Sequence, residues 1–495
     1  MKNNTISWQL LCLASIVVSC LGAQTAIPVR VINNTGLPDD SIYVAIVGED
    51  LTGPPGKHIW VNVLTGEQIP MDDAYNTVDS PEPGDNTKYA NCFQPLSVIP
   101  NHTIPLKFIQ GCRVFISQKQ HLYLHFFDPA QGYSAPDLNN PSDPNLGIVY
   151  EIIELTYNSL GFFGNTTRVD AYQRPMVLEV FGHSEADPQK RGETASHQAI
   201  ISAFQTSMPP EFGNCLRLQD SIILQPSKTE DFKSGPHKDY FNIYVDSIWD
   251  KYKNQDLIFD GGQIGTWRGR VDNLDSLIFE CIQGDSLGRK GRIARKPTTL
   301  EIIEGSGVLA DGGDNDKNVQ KHVCAAINRH VINVSPAFTG STSQIWSDPA
   351  TYYLHSPANF YAGFWHRQGI SINRLSYGFA YDDVFDQSST LQTTDPDSIR
   401  VYFGGLVLTT SSSETEKKPH LKAFPSTTGD YCTVSGLDKS NFLCIFDIRG
   451  RLLESTRLDP GQDSVEIDLS NYAKGAYFIQ ARSESRTGLV KVIKI

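Results

Sequence analysis

The sequence has few cysteines, and none of them form the CxxC pairs that common zinc ribbons use. After the first 23 residues, no segment approaches the roughly 20 consecutive apolar residues of a membrane-spanning helix. Basic residues are outnumbered, with 42 Lys and Arg against 55 Asp and Glu, so the net charge is −13. Because nucleic-acid binding relies on clustered basic side chains, this balance disfavours nucleic acid as the main partner. The remaining class is an acidic globular protein without a membrane span.

The first 23 residues have the layout of a secretory signal peptide. A basic start at Met1–Lys2 precedes the apolar stretch Trp8–Val18, and Leu21-Gly22-Ala23 ends in small residues. This order predicts export and cleavage after Ala23. Seven cysteines then remain, an odd number that permits at most three disulfides. They are Cys92, Cys112, Cys215, Cys281, Cys324, Cys432 and Cys444.

Three segments follow the predicted signal peptide 1–23. We predict a large module over residues 24–410, a linker over 411–425 and a small β domain over 426–495. The run Thr409–Pro419 is rich in Thr, Ser and charged residues and has no apolar period, which is typical of a flexible linker.

The large module is predicted to be mainly β with inserted helices. Short β-type runs such as Ile27–Ile32 alternate with turn clusters such as Asn33–Gly36 over residues 27–130. Apolar residues recur at helical spacing in 236–256 and in 318–331, which predicts one amphipathic helix in each.

The stretch Val149–Pro175 carries the most informative pattern. Strand alternation over residues 151–158 places three polar side chains on one face, namely Glu154, Thr156 and Asn158. The opposite face is apolar and consists of Ile153, Leu155 and Tyr157. After a Gly-rich segment, a second run over 166–172 is predicted to place Thr166, Arg168, Asp170 and Tyr172 together.

A hairpin centred on Phe162 would set Glu154 directly opposite Asp170, with Cβ atoms about 5 Å apart. Two such carboxyl groups can divide the work of glycosidic cleavage, because one holds a proton for the leaving oxygen while the other stays ionised. The distance between the carboxyl groups decides between retention and inversion, and sequence does not fix it. Taken alone, the pair is better explained as ordinary solvated strand carboxylates, because unrelated acidic pairs are common.

The segment that carries Glu154 and Asp170 also resembles part of a known enzyme family. Glu154–Asn158, followed by Val169-Asp170, resembles the catalytic segment of glycoside hydrolase family 64, which comprises β-1,3-glucanases with a thaumatin-like part. Asn359–Ala362 and Tyr377–Val384 are similar to later segments of that family, so the resemblance covers about residues 27–410. It implies a thaumatin-like β-barrel or sandwich part and a mixed α/β part that flank a groove.

The resemblance also implies residue roles. Glu154 would be the general acid and Asp170 the general base of an inverting, endo-acting hydrolase of laminarin or curdlan-type glucan. Positions expected to contact the sugar are Thr156, Asn158, Phe163 and Thr167. Phe163 stands where a Trp is expected, so it offers a smaller apolar face and no indole N–H. No cofactor and no metal are implied, and a monomer is expected.

The tail resembles a type IX secretion sorting domain. The resemblance is carried by Phe446–Leu453, Ile467–Ser470, Lys474–Phe478 and the ending Lys491–Ile495. It implies that the secretion machinery is a partner and that the protein is secreted or displayed at the surface of a bacterium. A small β-sandwich binding module is the alternative for this segment.

Two other motifs suggest different functions, but each lacks a feature that its function requires. Gly284–Gly288 fits the G-x-S-x-G box of serine hydrolases, but no convincing helix follows it. Asp311, Asp314 and Asp316 lack the register of a calcium loop. Two alternatives stay open for the whole chain: a thaumatin-like β-glucan-binding protein without catalysis, and an inhibitor or surface scaffold that neither binds nor cleaves glucan.

Overall fold

The structure is a computed structural model that describes residues 26–51, 56–184, 187–217, 219, 221–340, 342–406, 421–437, 442–448, 451–459, 461–482 and 487–495. The predicted signal peptide 1–23 and most of the predicted linker lie outside these residues. The chain forms two compact units, residues 1–407 and 408–495. The fold is mainly β with few helices, as the sequence predicts.

The first unit is built largely from short strands. In chain order they are β1 (Ile27–Asn33), β2 (Ile42–Glu49), β3 (His58–Asn62), β4 (Glu67–Pro70), β5 (Asn76–Asp79), β6 (Lys88–Ala90), β7 (Gln94–Pro95), β8 (Thr103–Leu106), β9 (Ile109–Gln118), β10 (His125–Phe126), β11 (Tyr133–Ser134), β12 (Tyr150–Asn158), β13 (Gly161–Thr166), β14 (Ala171–Tyr172), β15 (Met176–Gly182), β16 (Gln189–Gly192), β17 (Leu216–Arg217), β18 (Ile222–Leu224), β19 (Leu257–Asp260), β20 (Thr266–Val271), β21 (Leu277–Gln283), β22 (Lys290–Ile293), β23 (Leu391–Thr393) and β24 (Pro396–Phe403).

The helices of this unit lie between β16 and β23. They are α1 (His197–Ser207), α2 (Glu230–Lys233), α3 (Asn242–Asn254), α4 (Thr299–Glu304), α5 (Asp314–Arg329) and α6 (Phe360–Trp365). The predictions of a helix in 236–256 and in 318–331 are confirmed by α3 and α5. Their apolar stripes are buried as expected, because a period of 3.6 residues brings those side chains to one face.

Two sheets share the first hydrophobic core. One has the order β23-β13-β12-β9-β2-β3-β4, with β7 also paired to β2. The other has the order β16-β15-β24-β1-β8, in which β1 and β24 are parallel. Inward residues of both sheets, such as Val29, Ile46, Val114, Ile153 and Val401, belong to one buried cluster. This core supports the strands that carry the candidate site.

A second core joins helices to a smaller sheet. The antiparallel sheet β19-β20-β21-β22 is packed with α3 and α5 around buried aromatic side chains. Trp267, Trp346 and Trp365 all lie in this core, so they are structural rather than part of a sugar groove. Gly284–Gly288 forms the connection between β21 and β22, not the strand-to-helix turn that a serine nucleophile needs.

The hairpin prediction is wrong in its register. β12 and β13 pair with Asn158 opposite Gly161, so the loop contains only Ser159 and Leu160. Glu154 therefore faces Asn165, and the prediction that it faces Asp170 across a ladder is overturned. The physical reason is the turn: the side chain of Asn158 accepts a hydrogen bond from the backbone of Leu160 at 2.8 Å, and Gly161 supplies a φ of 121°.

The second predicted strand, 166–172, is also broken. β13 ends at Thr166, a bend follows, and β14 is only Ala171–Tyr172. Arg168 turns into the core, while the side chain of Asp170 is 65% exposed, so these two residues do not share a face. Buried ion pairs of Arg168 cause this departure from strand alternation.

The second unit is a small β domain. Its strands are β25 (Lys422–Phe424), β26 (Thr427–Thr428), β27 (Tyr431–Ser435), β28 (Phe442–Phe446), β29 (Leu452–Arg457), β30 (Ser464–Asp468), β31 (Gly475–Arg482) and β32 (Thr487–Lys494). They form the sheets β25-β27-β30 and β26-β32-β31-β28-β29. Because β25 pairs with β27, the end of the predicted linker 411–425 is part of this unit.

The seven cysteines that the structure describes are all buried and unpaired. Burial raises the pKa of the Cys92 thiol to about 12. None of the helices among the described residues is long and apolar enough to cross a membrane.

Candidate active site

Glu154 lies on the outward face of β12. The alternation predicted from the sequence is confirmed here, because Ile153, Leu155 and Tyr157 are buried while Glu154 and Thr156 are half-buried. The apolar face anchors the strand in the first core, so the carboxyl group is presented from a rigid element. The side chain of Glu154 is 40% exposed.

Two adjoining cavities meet at Glu154. The first, of about 530 Å³, extends from Gly48, Glu49 and Gln131 to Thr156 and Phe163. The second, of about 360 Å³, is lined by Thr167, Asp170, Tyr150 and Tyr377. Four residues line both cavities, namely Arg113, Ala135, Glu154 and Asn165. The cavities therefore form one groove with Glu154 at their junction.

Two polar side chains contact the carboxyl group of Glu154. Arg113 Nε lies 3.3 Å from its Oε1, and Asn165 Nδ2 donates to its Oε2 at 3.5 Å. Arg113 also donates to the hydroxyl of Tyr133 at 3.5 Å. Burial disfavours the charge of Arg113, but Tyr133 and Glu154 outweigh it and raise the pKa of the guanidinium. The carboxyl group is thus oriented by donors on the neighbouring strands β9 and β13.

Asp170 reaches the same groove from the bend that follows β13. Its Oδ1 lies 3.2 Å from Nζ of Lys228, and its backbone carbonyl accepts a hydrogen bond from Gln225 at 2.9 Å. Lys228 and Gln225 belong to the part of the chain that surrounds the second core. The groove therefore brings together a carboxyl group on the eight-stranded sheet and one held by Lys228 and Gln225.

Of the other four predicted site residues, three line one of the two cavities. Thr156 and Phe163 line the first cavity, and Phe163 is 36% exposed. Thr167 lines the second cavity, where its hydroxyl also accepts a hydrogen bond from the backbone of Val169 at 3.2 Å. Asn158 lines neither cavity, because its side chain is occupied in the hairpin turn.

Sequence reasoning missed the polar neighbours of the pair. Asn165 could have been found from the spacing of Asn158 and Gly161, since two residues between strands favour a tight turn and fix the register. Arg113 and Lys228 carry no local signal, because each reaches the site through contacts distant in sequence. Among the described residues, no group of three His, Cys, Asp or Glu side chains is placed to hold a metal ion.

Comparisons with known proteins relate most of the chain to one enzyme family. Residues 25–403 match the family model described as Beta-1,3-glucanase, glycoside hydrolase family 64. A glucan endo-1,3-beta-glucosidase of Cellulosimicrobium cellulans is 26% identical over 273 residues, which cover 53% of this chain and 46% of that protein. The chain thus spans about half the length of the curated relatives it matches.

Solved structures show the same likeness. A β-1,3-glucanase domain from Clostridium beijerinckii aligns with a TM-score of 0.68 and 32% identity, covering 77% of this chain and 98% of that one. A laminaripentaose-producing β-1,3-glucanase from Paenibacillus barengoltzii, complexed with laminarihexaose, aligns with a TM-score of 0.57 and 26% identity over 81% of each chain.

The second unit has a match of its own. Residues 422–495 match the model of a secretion system C-terminal sorting domain. This domain indicates export by type IX secretion to the cell surface or the extracellular space.

Proposed function

The chain belongs to the β-1,3-glucanase family, glycoside hydrolase family 64, and on that premise we propose that it is an endo-acting hydrolase of β-1,3-glucan. Its substrates would be laminarin and curdlan-type glucan, and its products short oligosaccharides. We also propose that the sheets around the first core form the thaumatin-like part and that the protein acts as a monomer. The observation that carries the proposal is the groove in which Glu154 and Asp170 are lining residues of one cavity.

Glu154 is proposed as the general acid and Asp170 as the general base. The acid gives a proton to the leaving glycosidic oxygen, while the base takes a proton from a water molecule that attacks the anomeric carbon from the opposite side. Attack from the opposite face inverts the configuration, so a β-linked glucan yields an α-anomer. Support comes from the volume of the second cavity, about 360 Å³, which leaves room for water beside the sugar.

The first cavity is proposed to hold glucose units on one side of the scissile bond. Phe163 offers an apolar ring to a pyranose face, and Thr156 offers a hydroxyl that can donate or accept. Thr167 would contact the sugar in the second cavity. Asn158, which lines neither cavity, would act only by holding the turn that precedes Phe163.

The test is the anomer released from laminarin, followed by NMR. Wild type is expected to release α-anomer first, while Glu154→Gln and Asp170→Asn lose at least about 100-fold in kcat and still bind insoluble curdlan. Glu280→Gln is the control, because Glu280 is an exposed strand carboxylate on β21 that lines neither cavity, and its kcat should equal that of wild type. Fresh β-anomer would overturn inversion. Binding without turnover in the wild type would favour a glucan-binding protein, and neither binding nor turnover would favour a scaffold.

Export is proposed to use both ends of the chain. Residues 1–23 would serve as the signal peptide, and the second unit as the sorting domain. Mass spectrometry of protein recovered from the medium and from the cell surface tests this, with Gln24 expected as the first residue.

A further inference from the structure

Arg168 precedes Asp170 by two residues and is almost completely buried. Its side chain is 1% exposed, and its guanidinium lies between two buried carboxyl groups. Nε and Nη2 donate to the two oxygens of Glu193 at 2.7 and 2.8 Å, and Nη1 donates to Oε2 of Glu151 at 2.6 Å. The three side chains form what we term the Arg168 cluster.

The Arg168 cluster holds the chain on both sides of Asp170. Oε1 of Glu151 accepts hydrogen bonds from the backbone N–H groups of Gln173 at 2.8 Å and Arg174 at 2.7 Å. Oε2 of Glu193 accepts one from the backbone of Met176 at 2.9 Å. Since Glu151 lies on β12, three residues before Glu154, the cluster connects the strand of the proposed acid to the bend of the proposed base.

The backbone of Arg168 is held as firmly as its side chain. Its N–H donates to the carbonyl of Tyr377 at 2.9 Å, and its carbonyl accepts from the hydroxyl of Tyr361, on α6, at 2.6 Å. The ladder between β12 and β13 ends at Thr166, so it does not reach Asp170. The position of Asp170 against Glu154 is therefore not set by that ladder. It is set by these buried contacts on one side and, on the other, by the hydrogen bond from Gln225 and the pairing of Ala171 with Leu224.

A buried ionic cluster contributes little net free energy to folding. Removing three charged groups from water is costly, and apolar replacements of similar volume are often as stable. The cluster instead fixes the relative orientation of the segments that carry its side chains, because the planar guanidinium fork fits carboxylates in one orientation. A fixed orientation matters in catalysis, where a displacement of about 1 Å can cost roughly 100-fold in rate.

We infer that Arg168 and Tyr361 are positioning residues for the hydrolytic reaction. They hold the bend 167–170 so that Asp170 stands where it can take a proton from water, with Glu154 across the groove. The inference rests on the proposed roles of Glu154 and Asp170. Neither Arg168 nor Tyr361 lines the groove, so their effect is exerted through Asp170.

The test compares two buried tyrosines. Tyr361→Phe removes the hydrogen bond to the carbonyl of Arg168 and leaves no charge unpaired. Tyr244→Phe is the matched control, since Tyr244 is also buried and its hydroxyl donates to a backbone carbonyl, that of Ile332, at 2.8 Å. Both variants are expected to lose a similar amount of thermal stability. Only Tyr361→Phe should lower kcat on laminarin, by about 5- to 30-fold, with KM within about twofold of wild type.

Arg168→Lys extends the test to the cluster itself. A lysine keeps the charge but cannot bridge both carboxyl groups with a planar fork, so we expect a larger fall in kcat, about 100-fold, with curdlan binding retained. If this variant does not fold, Tyr361→Phe still decides the matter. Equal kcat for Tyr361→Phe and Tyr244→Phe would overturn the inference.

Asp170→Asn, assayed in parallel, distinguishes a failure of the proposed general base from a failure of the inference about Arg168 and Tyr361. Wild-type kcat in Asp170→Asn would refute the proposed base and the inference together. A loss of activity in Asp170→Asn, combined with equal kcat for the two tyrosine variants, would refute the inference alone.

Discussion

Asn165 lies directly opposite Glu154 in the antiparallel ladder between β12 and β13, and its amide Nδ2 donates to Oε2 of Glu154 at 3.5 Å. A neutral donor at this position orients the carboxyl group without adding charge. We predict that Asn165→Asp lowers kcat/KM on laminarin at pH 7 by at least about 10-fold. The new carboxylate could not donate to Glu154 and would compete for Arg113, whose interaction with a charge about 4 Å away is about 1–4 kcal/mol between bulk water and a protein surface.

Asn165→Ala is the control for this prediction. It removes the hydrogen bond without adding charge, so the expected loss is about 3- to 10-fold, as for one ordinary hydrogen bond. Equal losses in the two variants, with equal melting temperatures, would show that charge next to Glu154 is unimportant.

A second prediction concerns the ring of Phe163 in the first cavity. Phe163→Ala should raise KM for laminarin by about 2- to 12-fold, which corresponds to about 0.5–1.5 kcal/mol for a specific aromatic contact, and should change kcat little. Phe163→Trp should lower KM, because indole has a larger face and an N–H donor. Steady-state kinetics on laminarin and pull-down on curdlan measure both effects.

Leu160→Ala controls for the hairpin itself. Leu160 lies in the turn of the same hairpin, is 69% exposed and lines neither cavity. Its removal should leave KM unchanged. A rise in KM like that of Phe163→Ala would mean that the hairpin, not the ring, determines binding.

The buried thiols lead to a third prediction. A chain starting at residue 26 should show no thiol reacting rapidly with DTNB under native conditions at pH 8 and seven after unfolding in guanidinium chloride. Burial raises the pKa of Cys92 to about 12 and favours the thiol form of Cys112, Cys215 and Cys324, so little reactive thiolate is present. The melting temperature should not change when a reductant is added. Fewer than seven thiols after unfolding without reductant would reveal a disulfide.

A fourth prediction concerns acid stability. Burial, reinforced by Arg174, lowers the pKa of His197 to about 4. Since Arg174 can only donate, Nε2 of His197 accepts its hydrogen bond at 3.1 Å, and the neutral ring donates from Nδ1 to Tyr172 at 3.0 Å. A histidine with a lowered pKa stabilises the fold above pH 6.5, and this contribution is lost as the pH falls towards about 4.

The measurement is the free energy of unfolding in urea between pH 7 and 4.5. In His197→Gln, the free energy of unfolding should fall less steeply with decreasing pH than in wild type. The two slopes should differ by less than about 1.4 kcal/mol per pH unit, the limit for one proton, because solvent screens the half-buried ring. His183→Gln is the control, since His183 is largely exposed, and its curve should follow wild type. An unchanged decline in His197→Gln would contradict the prediction.

Local patterns predicted the elements that depend on local physics. The alternation of β12 holds because its apolar side chains reach the first core, and α3 and α5 form where apolar residues recur at helical spacing. Both patterns are set by the geometry of one element, so neither requires knowledge of the rest of the chain.

The register of the hairpin between β12 and β13 depends on its turn, and the predicted position of that turn was wrong. A hairpin centred on Phe162 pairs Glu154 with Asp170, whereas the two-residue turn at Ser159-Leu160 pairs Glu154 with Asn165. Moving the centre of a hairpin changes every partner along the ladder, so a small error in the turn displaced the whole pairing.

The sequence by itself determined the β-rich class, the outward placement of Glu154 and Thr156 on β12, and the presence of a separate small β domain. Only the tertiary structure decided which residues surround Glu154 and how Asp170 comes to the same groove. Arg113, Lys228 and the Arg168 cluster act through contacts between segments far apart in the chain. Such contacts depend on how two cores pack and on which charges must be paired when they are buried, and no local pattern encodes either.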